Sequence, residues 1–164
     1  MILQLRLDER LIHGQVVTAW SRALNVDTLI AANDRVANDE FQVKMLLMTA
    51  PVGKKVHVKT VDETIRLLID PRADKMRIMI LVDNPADAIK LVKALPIKDV
   101  NVANYRKKKA ANKTVIHPYC SADPGDLELF RELDQCAENV FVQMLPAVGK
   151  EKFSDLLAKV KPGS

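Results

Sequence analysis

A chain of 164 residues, 48% of them hydrophobic and 28% charged, has the size and apolar content of one globular domain spanning 1–164, with too little length for a second full core. No stretch free of Asp, Glu, Lys and Arg is longer than Leu11 to Ser21, far short of the roughly 18 apolar residues of a membrane-spanning helix, and Met1 to Leu7 has no secretory character, so a cytoplasmic protein is expected. An excess of 25 basic over 21 acidic residues, a net charge of +4, admits anionic ligands but lacks the dense basic character of a nucleic-acid binder. Short β-branched segments then alternate with segments of helical period, the pattern of an α/β domain: doubly wound, with a mostly parallel sheet of about seven strands and helices on both faces.

In chain order the predicted strands are Ile2–Leu7, Thr28–Ala32, Lys55–Lys59, Arg77–Val82, Asp99–Ala103, Lys113–His117 and Val140–Met144. The first helix is expected over Gly14–Leu24, where Val16, Trp20 and Ala23 form an apolar stripe, with Asn25 as its stop. A second lies within Asn38–Thr49, with Asn38 as N-cap and Phe41, Met45 and Met48 on one face, and Pro51 beyond it. Thr60-Val61-Asp62-Glu63 has the form of a capping box ahead of a third. Asn84 before Pro85 opens a fourth, and Ser121 or Asp123 before Pro124 a fifth. A last helix near Lys150–Val160 precedes a frayed Pro162-Gly163-Ser164 end.

The chemistry-bearing stretch is Arg6-Leu7-Asp8-Glu9-Arg10-Leu11-Ile12-His13-Gly14-Gln15-Val16, between the first strand and the first helix. Ligands of open parallel sheets bind at the carboxyl ends of strands, where the following helix offers free N–H groups and the positive end of its dipole to an anion. A neutral His13 at that place can attack phosphorus. The Gly14 and Gln15 amides and the planar fork of Arg10, which can grip two oxygens at once, would hold the phosphate. Asp8 is positioned to accept from the other ring nitrogen of His13 and fix its tautomer. The plainer alternative is an anion-binding regulatory module in which His13 caps the helix and is never modified.

The same stretch, with Trp20 after it, closely resembles the R-I-D-[DE]-R-L-I-H-G-Q-V signature of the IIB subunits of the mannose/sorbose family of the bacterial sugar phosphotransferase system. The resemblance continues through Ala32-Asn33-Asp34-Arg35-Val36-Ala37, Ser121-Ala122-Asp123-Pro124-Gly125-Asp126 and Phe141-Val142-Gln143, covering essentially the whole chain. It implies a phosphoryl carrier. A IIA protein or domain donates from its own histidine, His13 accepts, and a sugar receives the group during uptake through the IIC and IID membrane subunits, to which the cytoplasmic IIB protein is peripherally bound. Arg10 matches the phosphate-binding arginine and Asp8 the loop acid. Where the family carries N-V-G-G, this chain has Asn101-Val102-Ala103-Asn104, and alanine does not take the positive φ open to glycine, so the loop is expected to differ in shape there.

The remaining candidates point elsewhere or nowhere. Five glycines, at 14, 53, 125, 149 and 163, build no P-loop or dinucleotide fingerprint, and no cofactor is called for. Cys120 and Cys136 read as free packing thiols, His117-x-x-Cys120 lacks further ligands for a metal, and His57 sits in a strand. Asp83 and Asn84 stand at a strand's carboxyl end, by the expected crevice. Arg106-Lys107-Lys108-Lys109 is a basic run that reads as a solvated face or as a contact for an acidic partner. Neither the sugar, nor dimerisation, nor the phosphorylated nitrogen of His13 is specified by the sequence.

Overall fold

The computed structural model describes residues 1–107 and 111–160. The apolar runs become strands because most of them are covered on both faces. β1 (Ile2–Asp8) is followed by α1 (Gly14–Ala23), β2 (Thr28–Ala32), α2 (Asp34–Ala37), α3 (Glu40–Met48), β3 (Lys55–Lys59) and α4 (Val61–Leu68). After a 3-10 turn at Pro71–Lys75 come β4 (Ile78–Val82), α5 (Pro85–Ala94), β5 (Asp99–Asn104), β6 (Thr114–His117) and β7 (Cys120–Ala122). The chain closes with α6 (Pro124–Cys136), β8 (Asn139–Val142), β9 (Glu151–Lys152) and α7 (Phe153–Ala158).

Seven strands form the main sheet in the order β3-β2-β4-β1-β5-β8-β9, all neighbours parallel except β9, which runs antiparallel to β8. Period-2 alternation divides the sheet's side chains between two cores. Leu5, Leu7, Ile30, Ile80, Val82, Val100, Val102 and Val142 pack against α4, α5, α6 and α7 on one face. Leu29, Ala31, Met79 and Leu81 pack against α1 and α2 on the other. The sheet is therefore doubly wound, as the alternation of elements predicts.

Most helix starts match their sequence signals. Thr60 and Glu63 close the capping box, Asn84 accepts from the Asp87 N–H, and Asp123 accepts from the Asp126 N–H. Two expectations are corrected. Thr114–His117 does not join the main sheet but pairs with β7 as a separate antiparallel hairpin, because it alternates between a buried face and the exposed Val115. The main sheet's last member is instead the two-residue β9, too short to leave a pattern. The helix expected within Asn38–Thr49 is preceded by a separate turn of helix. Asn33 caps α2, Asn38 ends it, and Asp39 rather than Asn38 caps α3. Phe41, Met45 and Met48 do share a face, but that face is exposed. The Pro162-Gly163-Ser164 end lies outside the described residues.

Removing a cap and hollowing the core should cost different amounts. Thr60→Ala should lower stability by about 1 kcal/mol. Phe130→Ala removes a fully buried ring that packs on Tyr105 and Phe153 and should lower it by about 3–5 kcal/mol. Urea melts of the two variants measure the difference, and equal losses would contradict this placement of the core.

Candidate active site

Along β1, Leu5 and Leu7 face the larger core, so Gln4, Arg6 and Asp8 must face the other way. There they meet Asn101 of β5 and Gln143 after β8, all buried. The Asn101 amide donates to the Gln143 carbonyl (2.8 Å) and accepts from the Gln143 N–H (3.0 Å), which ties β5 to the segment after β8. The carboxyl ends of β1 and β5 stay joined, the Glu9 N–H donating to the Asn104 carbonyl at 2.9 Å. Their continuations then part: β1 feeds α1 on one face, and β5 leads toward the hairpin and α6 on the other. This is the switch point at which an open sheet forms its crevice.

The loop between β1 and α1 is pinned from below. Leu11 and Ile12 are buried in the core with Val17, Trp20 and Val36. Leu11 adopts φ +56°, a left-handed conformation that costs about 1–2 kcal/mol in a non-glycine residue, which burial of its side chain, worth about 1.5–3 kcal/mol, offsets. Gly14 has φ +37°, and a Cβ there would meet nothing within 4 Å, so glycine serves conformation and not space. His13 is extended, at φ −136°, half-buried, and stands at the N-cap of α1 without capping it by its side chain. By contrast α2, α3, α4, α5 and α6 all carry a side-chain cap. The first turn of α1 also lacks an acidic residue, so no side chain of this kind offsets the positive end of its dipole.

Four side chains form a connected line. Arg6 is wholly buried with its Nη2 3.6 Å from Asp8 Oδ2. Asp8, also buried, accepts from the Arg10 backbone (2.9 Å), from Arg10 Nε (3.2 Å) and Nη2 (3.3 Å), and from Asn104 Nδ2 (3.3 Å). Arg10 Nη1 then lies 2.8 Å from His13 Nε2. A guanidinium can only donate, so Nε2 accepts and the neutral ring carries its hydrogen on Nδ1. The tautomer is thus fixed as expected but through another partner, because Asp8 touches Arg10 and not the ring. The Arg10 fork, expected to grip phosphate, grips Asp8 and leaves Nη1 for the histidine.

The charges follow from this packing. Burial pushes the Asp8 carboxyl up, yet the Arg10 side-chain and backbone bonds and the charges of Arg6 and Arg10 together hold it below its ordinary value. Burial lowers Arg6 to about 10 against the opposing pull of Asp8, which leaves it charged at neutral pH.

A crevice of about 360 Å³ opens beside this line, walled by Glu9, Arg10, Asn104, Arg106 and Met144. Sequence reasoning assigned no role here to Arg6, Asn104, Arg106 alone or Met144. Arg6 lies within the motif, and Asn104 ends a parallel strand, a position that could have singled it out. Ala103 needs no positive φ because β5 continues through Asn104, and the left-handed residue is Lys107 at φ +42°. Asp83 lines a small recess with Arg10, while Asn84 is spent on capping α5. His117 meets Glu151 through Nε2 and the Tyr119 N–H through Nδ1, far from metal chemistry. Burial pushes the free Cys120 thiol up to about 12, and His57, on β3, is held below its usual value by burial and by Lys59 and Lys55. Within the basic run, Lys107 is neutralised by Asp123 and Asp126, at 2.8 and 2.7 Å, and Lys108 and Lys109 lie outside the described residues.

Comparison with known proteins gives the family and the fold. Residues 2–162 match the family described as the PTS system sorbose subfamily IIB component. A probable phosphotransferase enzyme IIB component of Streptococcus pyogenes is 37% identical over 162 residues, covering 96% of this chain and 99% of that protein. The mannose-specific EIIAB component of Escherichia coli is 35% identical over 94% of this chain, which spans only 48% of that longer protein. Among solved structures, the IIBSor domain of the sorbose permease from Klebsiella pneumoniae superposes with a TM-score of 0.88 at 29% identity, covering 97% of both chains.

The depressed ionisation of Asp8 sets a pH signature. Its contribution to stability is fully present above its unfolded value, about 3.9, and is lost as pH falls through the lower folded value. Asp8→Asn strands Arg6 without its counter-charge and should cost about 3–5 kcal/mol at pH 7. That gap should narrow progressively below pH 4 in urea melts, and a gap independent of pH would refute the assignment.

Proposed function

This chain belongs to the sorbose subfamily of phosphotransferase-system IIB components, phosphoryl carriers in sugar uptake, and from that premise we propose that His13 is the residue that takes up and passes on the phosphoryl group. The observation that carries the reading is His13 itself, held by Arg10 at the uncapped N-terminus of α1. The donor is a phosphohistidine of a IIA protein or domain. A lone pair of the neutral His13 ring forms a bond to phosphorus as the donor's N–P bond breaks, and the electron pair returns to the donor ring. The arriving dianion is a stronger acceptor than a neutral imidazole, so Arg10 Nη1 turns from the ring to a phosphoryl oxygen while its other nitrogens stay on Asp8. The Gly14 and Gln15 amides, at the positive end of α1, take further oxygens.

In the second half-reaction a sugar hydroxyl attacks phosphorus, the N–P bond breaks, and the hydroxyl proton ends on the freed ring. On the family reading the sugar is delivered by membrane subunits of the IIC and IID type; no helix among the described residues is long and apolar enough to cross a membrane. Asp8 takes no proton in this scheme. It positions Arg10, and Arg10 and His13 are the groups that meet the phosphoryl group.

Intact-mass measurement after incubation with phospho-IIA should find one acid-labile, base-stable phosphoryl group on the wild type and none on His13→Ala. Equal labelling of both would refute the role of His13, and labelling of neither would favour the unmodified anion-binding module. Arg10→Lys keeps the charge but cannot hold both Asp8 oxygens and the phosphoryl group. It should slow transfer roughly ten- to a hundredfold, the equivalent of about 1.5–3 kcal/mol, in timed phosphorylation assays.

A further inference from the structure

We propose that Arg106 is a second phosphate-binding guanidinium of this site, acting from the crevice that it shares with Arg10. The proposal rests on the reading of His13 given above and adds to it a residue that lies outside the family's loop motif. Three observations carry it.

The first is placement. Arg106 lines the same crevice as Arg10, whose Nη1 touches the His13 ring. Two guanidiniums there face one carboxylate, that of Glu9, and Glu9 is already occupied in accepting the Lys107 backbone N–H at 3.0 Å. The crevice therefore favours a dianion.

The second is an unmet hydrogen-bonding need. Arg106 Nε is buried without a partner, and among the described residues no carboxylate pairs with Arg106. A buried N–H donor on a cation is costly to leave empty. The next residue shows the alternative fate: Lys107 turns away and is matched by two aspartates.

The third is preorganisation. The Arg106 guanidinium stacks on the Tyr119 ring at 5.2 Å, which leaves the edge of its fork free to donate. Its support is firm on both sides. The Tyr105 N–H donates to the Tyr119 carbonyl (2.8 Å), the Ser121 N–H donates to the Tyr105 carbonyl (2.7 Å), and the Tyr105 hydroxyl donates to buried Asp126 (2.8 Å). The hairpin of β6 and β7, which contributes nothing to the main sheet, thus serves as the platform for this arginine. A phosphoryl group in flight spreads charge over its non-transferring oxygens, and a second planar donor already in place can hold those that Arg10 leaves unbonded.

The test uses the unphosphorylated full chain and inorganic phosphate, followed by NMR of arginine Nε–H and backbone amides. Phosphate should shift the Arg106 and Arg10 resonances along one binding curve in the wild type and in His13→Ala alike. Arg106→Gln should weaken phosphate binding roughly tenfold, and Arg106→Lys, which keeps charge without the fork, should fall between the two. Transfer from phospho-IIA to Arg106→Gln should slow by a similar factor in kcat, with the thermal midpoint unchanged. Phosphate shifts confined to Arg10, wild-type affinity in Arg106→Gln, or an unchanged transfer rate would each overturn the proposal. These outcomes are separate from the fate of His13, because failure of His13 to become phosphorylated would leave the phosphate titration standing.

Discussion

Asp8 is the side chain on which the rest of the site depends. A carboxylate buried at the end of a central strand is tolerated only when counter-charge and donors surround it, and here Arg6, Arg10 and Asn104 supply them. That single requirement fixes much else. It draws the Arg10 backbone and guanidinium back over the strand end, which shapes the loop and forces Leu11 into its left-handed turn. It also retains Arg6 inside the fold, stacked on Trp20 with Nε and Nη1 unpartnered. The Met144 carbonyl accepts the Trp20 indole N–H at 2.9 Å and lies 3.5 Å from Arg6 Nη2, so the segment after β8 is tied to the same centre. The arrangement specifies one loop geometry, with the cost of burying its charges offset by their mutual pairing.

Topology decides where that geometry is used. Because β1 and β5 lead to opposite faces, the loop of residues 9–13 stands over an open crevice and not under a helix. A polar seam of Gln4, Arg6, Asp8, Asn101 and Gln143 runs along the sheet beside α1, with Asn101 bonded to both Gln4 and the Gln143 backbone. An apolar roof would close the crevice. The seam does not, although Arg6 Nε and Nη1 and Gln143 Oε1 within it have no hydrogen-bond partner.

Features written in local chemistry were legible in the sequence, and features created by distant pairing were not. The strands, the capping box at Thr60, the cap at Asn84 and the histidine at the start of α1 are each specified by a few neighbouring residues. The loop motif singled out Asp8, Arg10 and His13, and these three side chains are in contact. Their wiring was not legible, since nothing local indicates whether Asp8 turns to the ring or to Arg10. That choice depends on Arg6 pressing from the strand behind and Asn104 from the next strand. β9 was invisible for a similar reason, because two lysine- and glutamate-bearing residues acquire strand geometry only by lying beside Phe141 and Val142. For Phe41, Met45 and Met48, helical spacing reports the shared face that α3 shows, and it does not report that the face is exposed.

A carrier has to release what it binds, and the wiring of Arg10 suits that need. Were all of its donors free, a phosphoryl group on His13 would gain a bidentate, charge-assisted clamp and give it up slowly. In this fold Arg10 keeps Nε and Nη2 on Asp8, so the phosphoryl group competes with a neutral imidazole for Nη1 alone. The same bonds to Asp8 hold the guanidinium in position when the site is empty, so on this reading only the Nη1 bond changes partner as the group arrives or leaves. The negative charge of Asp8 further tempers the pull of Arg10 on a dianion, and against burial that charge is kept by the Arg10 side-chain and backbone bonds and by the charges of Arg6 and Arg10. Moderate grip with fixed geometry lowers the barrier in both directions, which is what separates a relay from a phosphate trap.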